Sequence, residues 1–144
     1  MRISEIKIIY TNKTKPNVTV TTSDEAYNIF MKYWNKSTIE LRESFKVLYL
    51  NRGNKVIGIE NHSIGGVIGT VADVKLIVAT ALKCVASSII LAHNHPSGNL
   101  KPSNADKRLT SKVNDACDLF DISLLDHLIV TSDGYYSFCD KDLI

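Results

Sequence analysis

No two cysteines in this sequence stand close enough to form a CxxC pair. Cys84, Cys117 and Cys139 are the only three, and their spacing leaves neither a cysteine-cluster zinc site nor a thioredoxin-like motif. An odd cysteine count in a chain of this size reads as reduced thiols, the expectation for a cytoplasmic protein. Long apolar runs are missing too. The stretch Val85 to Ala92 is short and broken by Ser87 and Ser88, so it cannot cross a bilayer, and no membrane partner is expected. The first residues, MRISEIKIIYTNK, mix charge with apolar side chains and lack the uncharged core of a signal peptide. Charge of one sign is also scarce. The net charge is +2, with Lys and Arg spread along the chain, whereas a dedicated DNA-binding domain concentrates its basic residues. Internal repeats and low-complexity segments are absent.

What remains suits one compact domain over residues 1–144. A hydrophobic fraction of 44% in 144 residues is enough to bury a core without disulfides. Ile3 to Tyr10 reads as a first strand, and Val18 to Thr21 as a short second one. Thr22 and Glu25 form a capping-box pair for a helix running to about Asn35, with Ala26, Ile29, Phe30, Tyr33 and Trp34 on one face. Ser44 to Leu50 and Lys55 to Ile59 flank the turn signal Asn51-Arg52-Gly53-Asn54. Gly65, Gly66 and Gly69 mark a bend or a close backbone approach. Val74 to Val85 has helical spacing, with Val74, Ile77, Val78, Ala81, Leu82 and Val85 as the buried stripe. Ser88 to Ala92 is nearly all apolar, as expected of a central strand covered on both faces. A polar loop, His93 to Pro102, precedes a helix from Asn104 to about Leu119 with Leu109, Val113, Ala116 and Phe120 inward. Leu125 to Thr131 is another buried strand, turned by Asp133-Gly134 into Tyr135 to Phe138. This order predicts an α/β fold, a mixed β-sheet with helices on its faces.

The chemistry lies in the polar loop. His93-Asn94-His95 is followed after seven residues by Ser103, and after two more by Asp106. If the chain stays extended where it leaves the apolar strand, residues two apart point to one side and both imidazoles reach one ion. Pro96 and Gly98 turn the chain, and the next helix start brings Asp106 back. Two neutral imidazoles and one carboxylate leave a tetrahedral zinc with one open position, where water can bind and be activated. A hydrolase of this kind also needs a general base outside the metal's ligands. By residue type alone Glu40, Glu43 and Glu60 all qualify.

These residues resemble the JAB/MPN metalloenzyme family, whose pattern is an upstream Glu, then H-x-H, seven residues, and S-x-x-D. The words HNHPSG, PSNAD and LLDHLIV are similar to its bacterial RadC-like branch. The resemblance covers Leu41 to the end, about the last hundred residues. It implies a deaminase-like α/β sandwich and one zinc per chain held by His93, His95 and Asp106. Glu43 becomes the base that takes a proton from the attacking water, and Ser103 positions that water or steadies the oxyanion. The implied activity is hydrolysis of a peptide or isopeptide bond, with a protein or peptide substrate such as a ubiquitin-like conjugate. The alternative is a DNA-repair-associated accessory factor that binds nucleic acid or protein. Longer RadC-like proteins carry a helix-hairpin-helix segment ahead of this domain, so a stand-alone domain is expected here. Many members start the helix before the central strand with Pro-Arg-Glu, where this chain has Val74-Lys75-Leu76.

Plainer readings stand beside these. Ser103-x-x-Asp106 is also a capping box. His127, after Asp126, is either an outer partner of the site or a satisfied core histidine. His62 reads as a solvated loop residue. Cys84 and Cys117 have core spacing on helix faces, where packing is the commoner role. The letters HNH suggest a nuclease, but that motif is scattered rather than contiguous. A non-catalytic interaction module would have lost ligands, and here the set is complete.

Overall fold

The computed structural model describes residues 1–7, 9, 11, 15–65 and 71–144. Three helices and five strands follow one another as α1 (Ser23–Tyr33), β1 (Ser44–Leu50), β2 (Val56–Ile64), α2 (Val74–Lys83), β3 (Ser88–Asn94), α3 (Asn104–Asp118), β4 (Ser123–Thr131) and β5 (Gly134–Ser137). The strands form one sheet in the order β2-β1-β3-β4-β5. Only β3 and β4 run parallel, joined through α3; the other pairs are antiparallel. The sheet is therefore mixed, with its crossover helix packed on one face.

Side chains alternate across the sheet and fill a core on each side. Val47 and Tyr49 of β1 and Ile89 and Leu91 of β3 pack with Ile77 and Ala81 of α2 and Val113 and Cys117 of α3. Leu48, Leu50, Ile90, Ala92, Leu128 and Val130 point the other way, onto Ala26 and Phe30 of α1 and onto Trp34. β1, β3 and β4 are covered on both faces, which is why their sequences are nearly continuous apolar runs. Among the described residues, no helix is long and apolar enough to cross a membrane.

The expected strand Ile3–Tyr10 is not formed among its described residues. Ile3, Ile6 and Ile9 are exposed, and Ile8 and Tyr10 lie outside the described residues. Isoleucine favours a pleated, half-buried surface, and without a ladder partner that preference has no effect. Val18–Thr21 makes only a bridge, Thr19 opposite Lys55, supported by Val20 N–H to Asn54 O at 2.9 Å and Val56 N–H to Val18 O at 2.8 Å. Gly66 and Gly69 lie outside the described residues.

β2 runs well past Ile59, because Asn61 and Ser63 pair with Lys46 and Phe45 of β1. That extension puts His62 on a strand rather than in a solvated loop. Its side chain is 2% exposed. Its Nε2 accepts the Asp73 N–H at 2.9 Å, so Nδ1 carries the proton and faces Glu60 Oε1 at 3.3 Å.

The α1 capping box forms as expected, with the Thr22 hydroxyl accepting the Glu25 N–H and the Glu25 carboxylate accepting the Thr22 N–H. Tyr33, assigned to the inner face, is exposed instead. In α2 the buried stripe stops early, and Leu82 and Val85 are exposed. The helix ends with Val85 N–H bonded to Leu82 O and Ala86 N–H bonded to Ala81 O, the paired bonds of a Schellman motif. The left-handed position of that motif is Val85, at φ 55°. A left-handed conformation costs an L-residue about 1–2 kcal/mol, and glycine gives back about 0.5–1 kcal/mol in unfolded-state entropy. Val85 is 77% exposed, so little packing is lost with its side chain. Val85→Gly is expected to raise the melting temperature by roughly 2–4 °C; a fall would show that the valine contributes more by packing than it costs in strain.

Along α3 the inner stripe is Thr110, Val113 and Cys117. Phe120, expected inward, lies beyond the helix end and is half exposed. The stripe is rotated relative to the apolar pattern because a polar residue, Thr110, occupies a core position. Asp106, one turn before Thr110, consequently lies above the same edge of the sheet.

Candidate metal centre

β3 delivers the first histidine. Ile89 and Leu91 face α2 and α3, and alternation places His93 on that same side at the strand's end. His93 is buried, and its ring lies parallel to Phe45 with centroids 6.0 Å apart. Phe45 is its register partner on β1. His95 follows one residue past the strand, with its N–H on Val130 O at 3.3 Å. Gly98, at φ 80°, then turns the chain, its N–H bonded to His95 O at 3.0 Å. That left-handed position is one glycine adopts without strain. The loop closes at Ser103, the N-cap of α3.

Asp106 is held at that N-terminus. The Ser103 hydroxyl accepts the Asp106 N–H at 3.0 Å, and Asp106 Oδ2 accepts the Ser103 N–H at 2.8 Å. The capping-box reading of Ser103 and Asp106 is therefore realised. It does not exclude the other reading, since the same carboxylate also faces both histidines. Asp106 Oδ1 is 3.3 Å from His93 Nε2 and Oδ2 is 3.3 Å from His95 Nε2. The two Nε2 atoms are 3.0 Å apart. His93, His95 and Asp106 thus form a cluster able to hold a metal ion. Two donors about 2.0–2.1 Å from one tetrahedral ion lie about 3.3 Å from each other, so the spacing matches a zinc donor triangle.

The electrostatics favour a charged carboxylate. Burial raises the Asp106 pKa, but its interactions with His93 and His95 outweigh burial and hold the carboxyl well below its usual range. The His95 pKa is raised, chiefly by the hydrogen bond its protonated ring gives Asp106, with burial opposing and the charge of Glu43 adding to the rise. His95 Nδ1 lies 2.6 Å from Asn99 O. A carbonyl only accepts, so Nδ1 carries a hydrogen, and the neutral ring leaves its Nε2 lone pair towards Asp106.

Glu43 precedes β1, two residues before Phe45, and is partly buried. It is not one of the three clustered donors. Its charge acts on His95. Its carbonyl accepts the Gly65 N–H at 2.8 Å. The segment that carries it is fixed by the middle residue of His-Asn-His. Asn94 points to the opposite face, fully buried. There its Oδ1 accepts the Ser44 N–H at 2.7 Å, while its Nδ2 donates to Arg42 O at 2.9 Å and to Ile39 O at 2.6 Å. Glu43 is pinned on both sides by these bonds. No motif in the sequence singles out Asn94. Its signal was a primary amide inside a strand covered on both faces, where every polar group needs a partner.

Two further polar side chains lie under the site. His127 of β4 is fully buried, with Nε2 2.8 Å from His93 Nδ1 and Nδ1 2.6 Å from Thr110 Oγ1. Burial pushes its pKa well down, and the neighbouring His93 adds to this. Both readings left open for His127 hold, since it is a buried histidine with each ring nitrogen partnered and it also touches His93. Asp126 faces the other way. Its Oδ1 accepts the His127 and Cys139 N–H groups at 2.7 and 3.0 Å, and its Oδ2 accepts from Ser137 Oγ at 2.6 Å, a satisfied structural corner. Cys117 is buried in the core among apolar side chains, and burial pushes its thiol up to about 11, as suits a packing residue.

With the fold and this cluster in place, comparison with known proteins gives the class. The chain belongs to the RadC-like JAB domain family, whose model matches residues 20–143. The mixed sheet between helices agrees with the expected architecture of that family. The chain is similar to a UPF0758 protein of Flavobacterium johnsoniae, 43% identical over 124 residues, covering 86% of this chain and 53% of the relative. A UPF0758 protein of Porphyromonas gingivalis is 50% identical over 104 residues, 72% of this chain and 46% of the relative. One from Chlorobaculum parvum is 39% identical over 119 residues, 83% and 54% of the two chains. The chain spans about half the length of these curated relatives.

Proposed function

We propose that this chain is a zinc-dependent metallohydrolase that cleaves a peptide or isopeptide bond in a protein or peptide substrate. One observation carries the reading: two imidazole nitrogens and one carboxylate, drawn from a strand end and a helix start, converge at 3.0–3.3 Å from one another. His93, His95 and Asp106 would hold the ion. Three protein donors leave a tetrahedral metal one position for water or substrate, and bound zinc supplies Lewis-acid chemistry there, lowering the pKa of water to about 7.

The remaining work falls to the protein's own groups. Glu43 takes the proton from the attacking water and passes it to the departing amine. Asn94 keeps the Glu43 segment in place through its three bonds to the neighbouring backbone. Ser103 spends one oxygen lone pair on the Asp106 N–H. Its own hydroxyl hydrogen remains for the oxyanion that develops when the carbonyl is attacked.

The test is a panel of unstructured peptides and lysine-linked conjugates incubated with the zinc-loaded protein. Hydrolysis that a chelator stops is expected. Asp106→Asn is expected to lose zinc first and activity as a consequence. Ser103→Ala is expected to keep its zinc and lose part of the rate, up to the roughly 10²-fold that one oxyanion donor supplies. Cleavage that continues in Asp106→Asn under chelator would contradict the proposal.

A further inference from the structure

The contacts beneath His93 form a chain whose hydrogens can be placed one after another. Thr110 Oγ1 lies 2.7 Å from the Asp106 backbone carbonyl. A carbonyl only accepts, so the one hydroxyl hydrogen of Thr110 is used there. Towards His127 Nδ1, 2.6 Å away, the Thr110 oxygen must therefore accept, and Nδ1 carries the hydrogen. A neutral imidazole protonated at Nδ1 has its lone pair on Nε2. That lone pair faces His93 Nδ1 at 2.8 Å, so His93 donates. With its hydrogen on Nδ1, neutral His93 presents the Nε2 lone pair towards His95 and Asp106.

We propose that Thr110 and His127 are positioning residues that lock His93 in its Nδ1–H tautomer, so that its Nε2 is a ready metal donor. The inference rests on the metal-site reading given above. A ligating histidine commonly gives its second N–H to a carboxylate or a carbonyl, which sets ring orientation and tautomer. Here the acceptor is a second imidazole, itself oriented by one hydroxyl. The chain ends at the carbonyl of Asp106, which cannot accept a proton for transport. It fixes direction and does not carry protons. It also links two donors, His93 on β3 and Asp106 on α3, through β4. Geometry supports a fixed role: the His127 ring is stacked on Phe138 with centroids 4.8 Å apart and lies 5.7 Å from the ring of Phe45.

Thr110→Val keeps the branched shape and removes the hydroxyl. His127 Nδ1 then has no acceptor, its hydrogen is free to move to Nε2, and His93 is driven to carry its own hydrogen on Nε2, against the metal. Thr110→Ser restores the hydroxyl and is the rescue control. Two readouts decide. Nitrogen NMR of the histidine rings in zinc-free wild type is expected to show His127 protonated at Nδ1 alone, a state lost in Thr110→Val and kept in Thr110→Ser. Competition with a chromogenic chelator, well below each variant's melting temperature, is expected to show zinc affinity about 10- to 100-fold weaker in Thr110→Val and close to wild type in Thr110→Ser. Wild-type His127 protonated at Nε2, or folded Thr110→Val binding zinc as tightly as wild type, would overturn the inference. Failure of the wild type to bind zinc would instead remove the metal reading, and the ring tautomers would still decide whether the relay exists.

Discussion

Glu43→Gln is expected to keep its zinc near the wild-type level while the hydrolytic rate falls by about 10²-fold or more, the range for losing general acid–base help. The two halves of this outcome have separate causes. Zinc is retained because the proposed donors are His93, His95 and Asp106, the cluster able to hold a metal ion, and Glu43 is not among them. The rate falls because glutamine keeps the shape and reach of glutamate but cannot take a proton. The backbone around position 43 should not move, since Asn94 holds Ile39, Arg42 and Ser44 whatever side chain stands between them. Zinc content by mass spectrometry and rate on any peptide found to be cleaved check both halves. Loss of zinc together with rate would make Glu43 a ligand, and an unchanged rate would send the search for the base to another carboxylate.

Zinc is expected to raise the melting temperature by roughly 10 °C. A ligand that binds only the folded state adds about 4 kcal/mol at a free concentration 1,000-fold above its dissociation constant. For a domain of this size about 2–4 °C accompanies each kcal/mol. The donors come from β3 and from the start of α3, so the ion ties a strand to a helix and has no preformed site in the unfolded chain. The zinc-free protein should still fold, because both faces of the sheet carry buried apolar clusters that contain none of the donors. Calorimetry with and without zinc measures the shift, and His95→Ala should abolish it. A zinc-free chain that is wholly unfolded would show the ion to be a structural element instead.

Much of the frame was legible in the sequence. The apolar runs of β1, β3 and β4, the turn at Asn51–Asn54 and both capping boxes depend on neighbours in the chain, and such signals survive without tertiary knowledge. His93 and His95 were legible as a pair because a strand end imposes the same-side rule. Glu43 stood out from Glu40 and Glu60 only through the family resemblance, since nothing local distinguishes one carboxylate near a strand from another.

The misses have other causes. His62 read as a loop residue, yet pairing of Asn61 and Ser63 with β1 carries it on a strand and its ring is buried. Ile3, Ile6 and Ile9 had strand propensity and form no strand among the described residues. Thr110 occupies a core position on α3, where its hydroxyl meets the ring of His127, seventeen residues away. Leu82 and Val85 lost their place in the α2 stripe when the helix closed with a left-handed residue. In the first three cases long-range contact, or its absence, decided the outcome; in the last it was the backbone geometry of the helix end.

The central claim is that His93, His95 and Asp106 hold one catalytic metal. Its most direct test is the zinc content of protein purified without chelator, measured beside a His93→Ala/His95→Ala double variant. About one zinc per wild-type chain, as a three-donor site expects, and almost none in the double variant is the predicted result. Stoichiometric zinc in the double variant, or a wild type that takes up no zinc when titrated, would contradict the account.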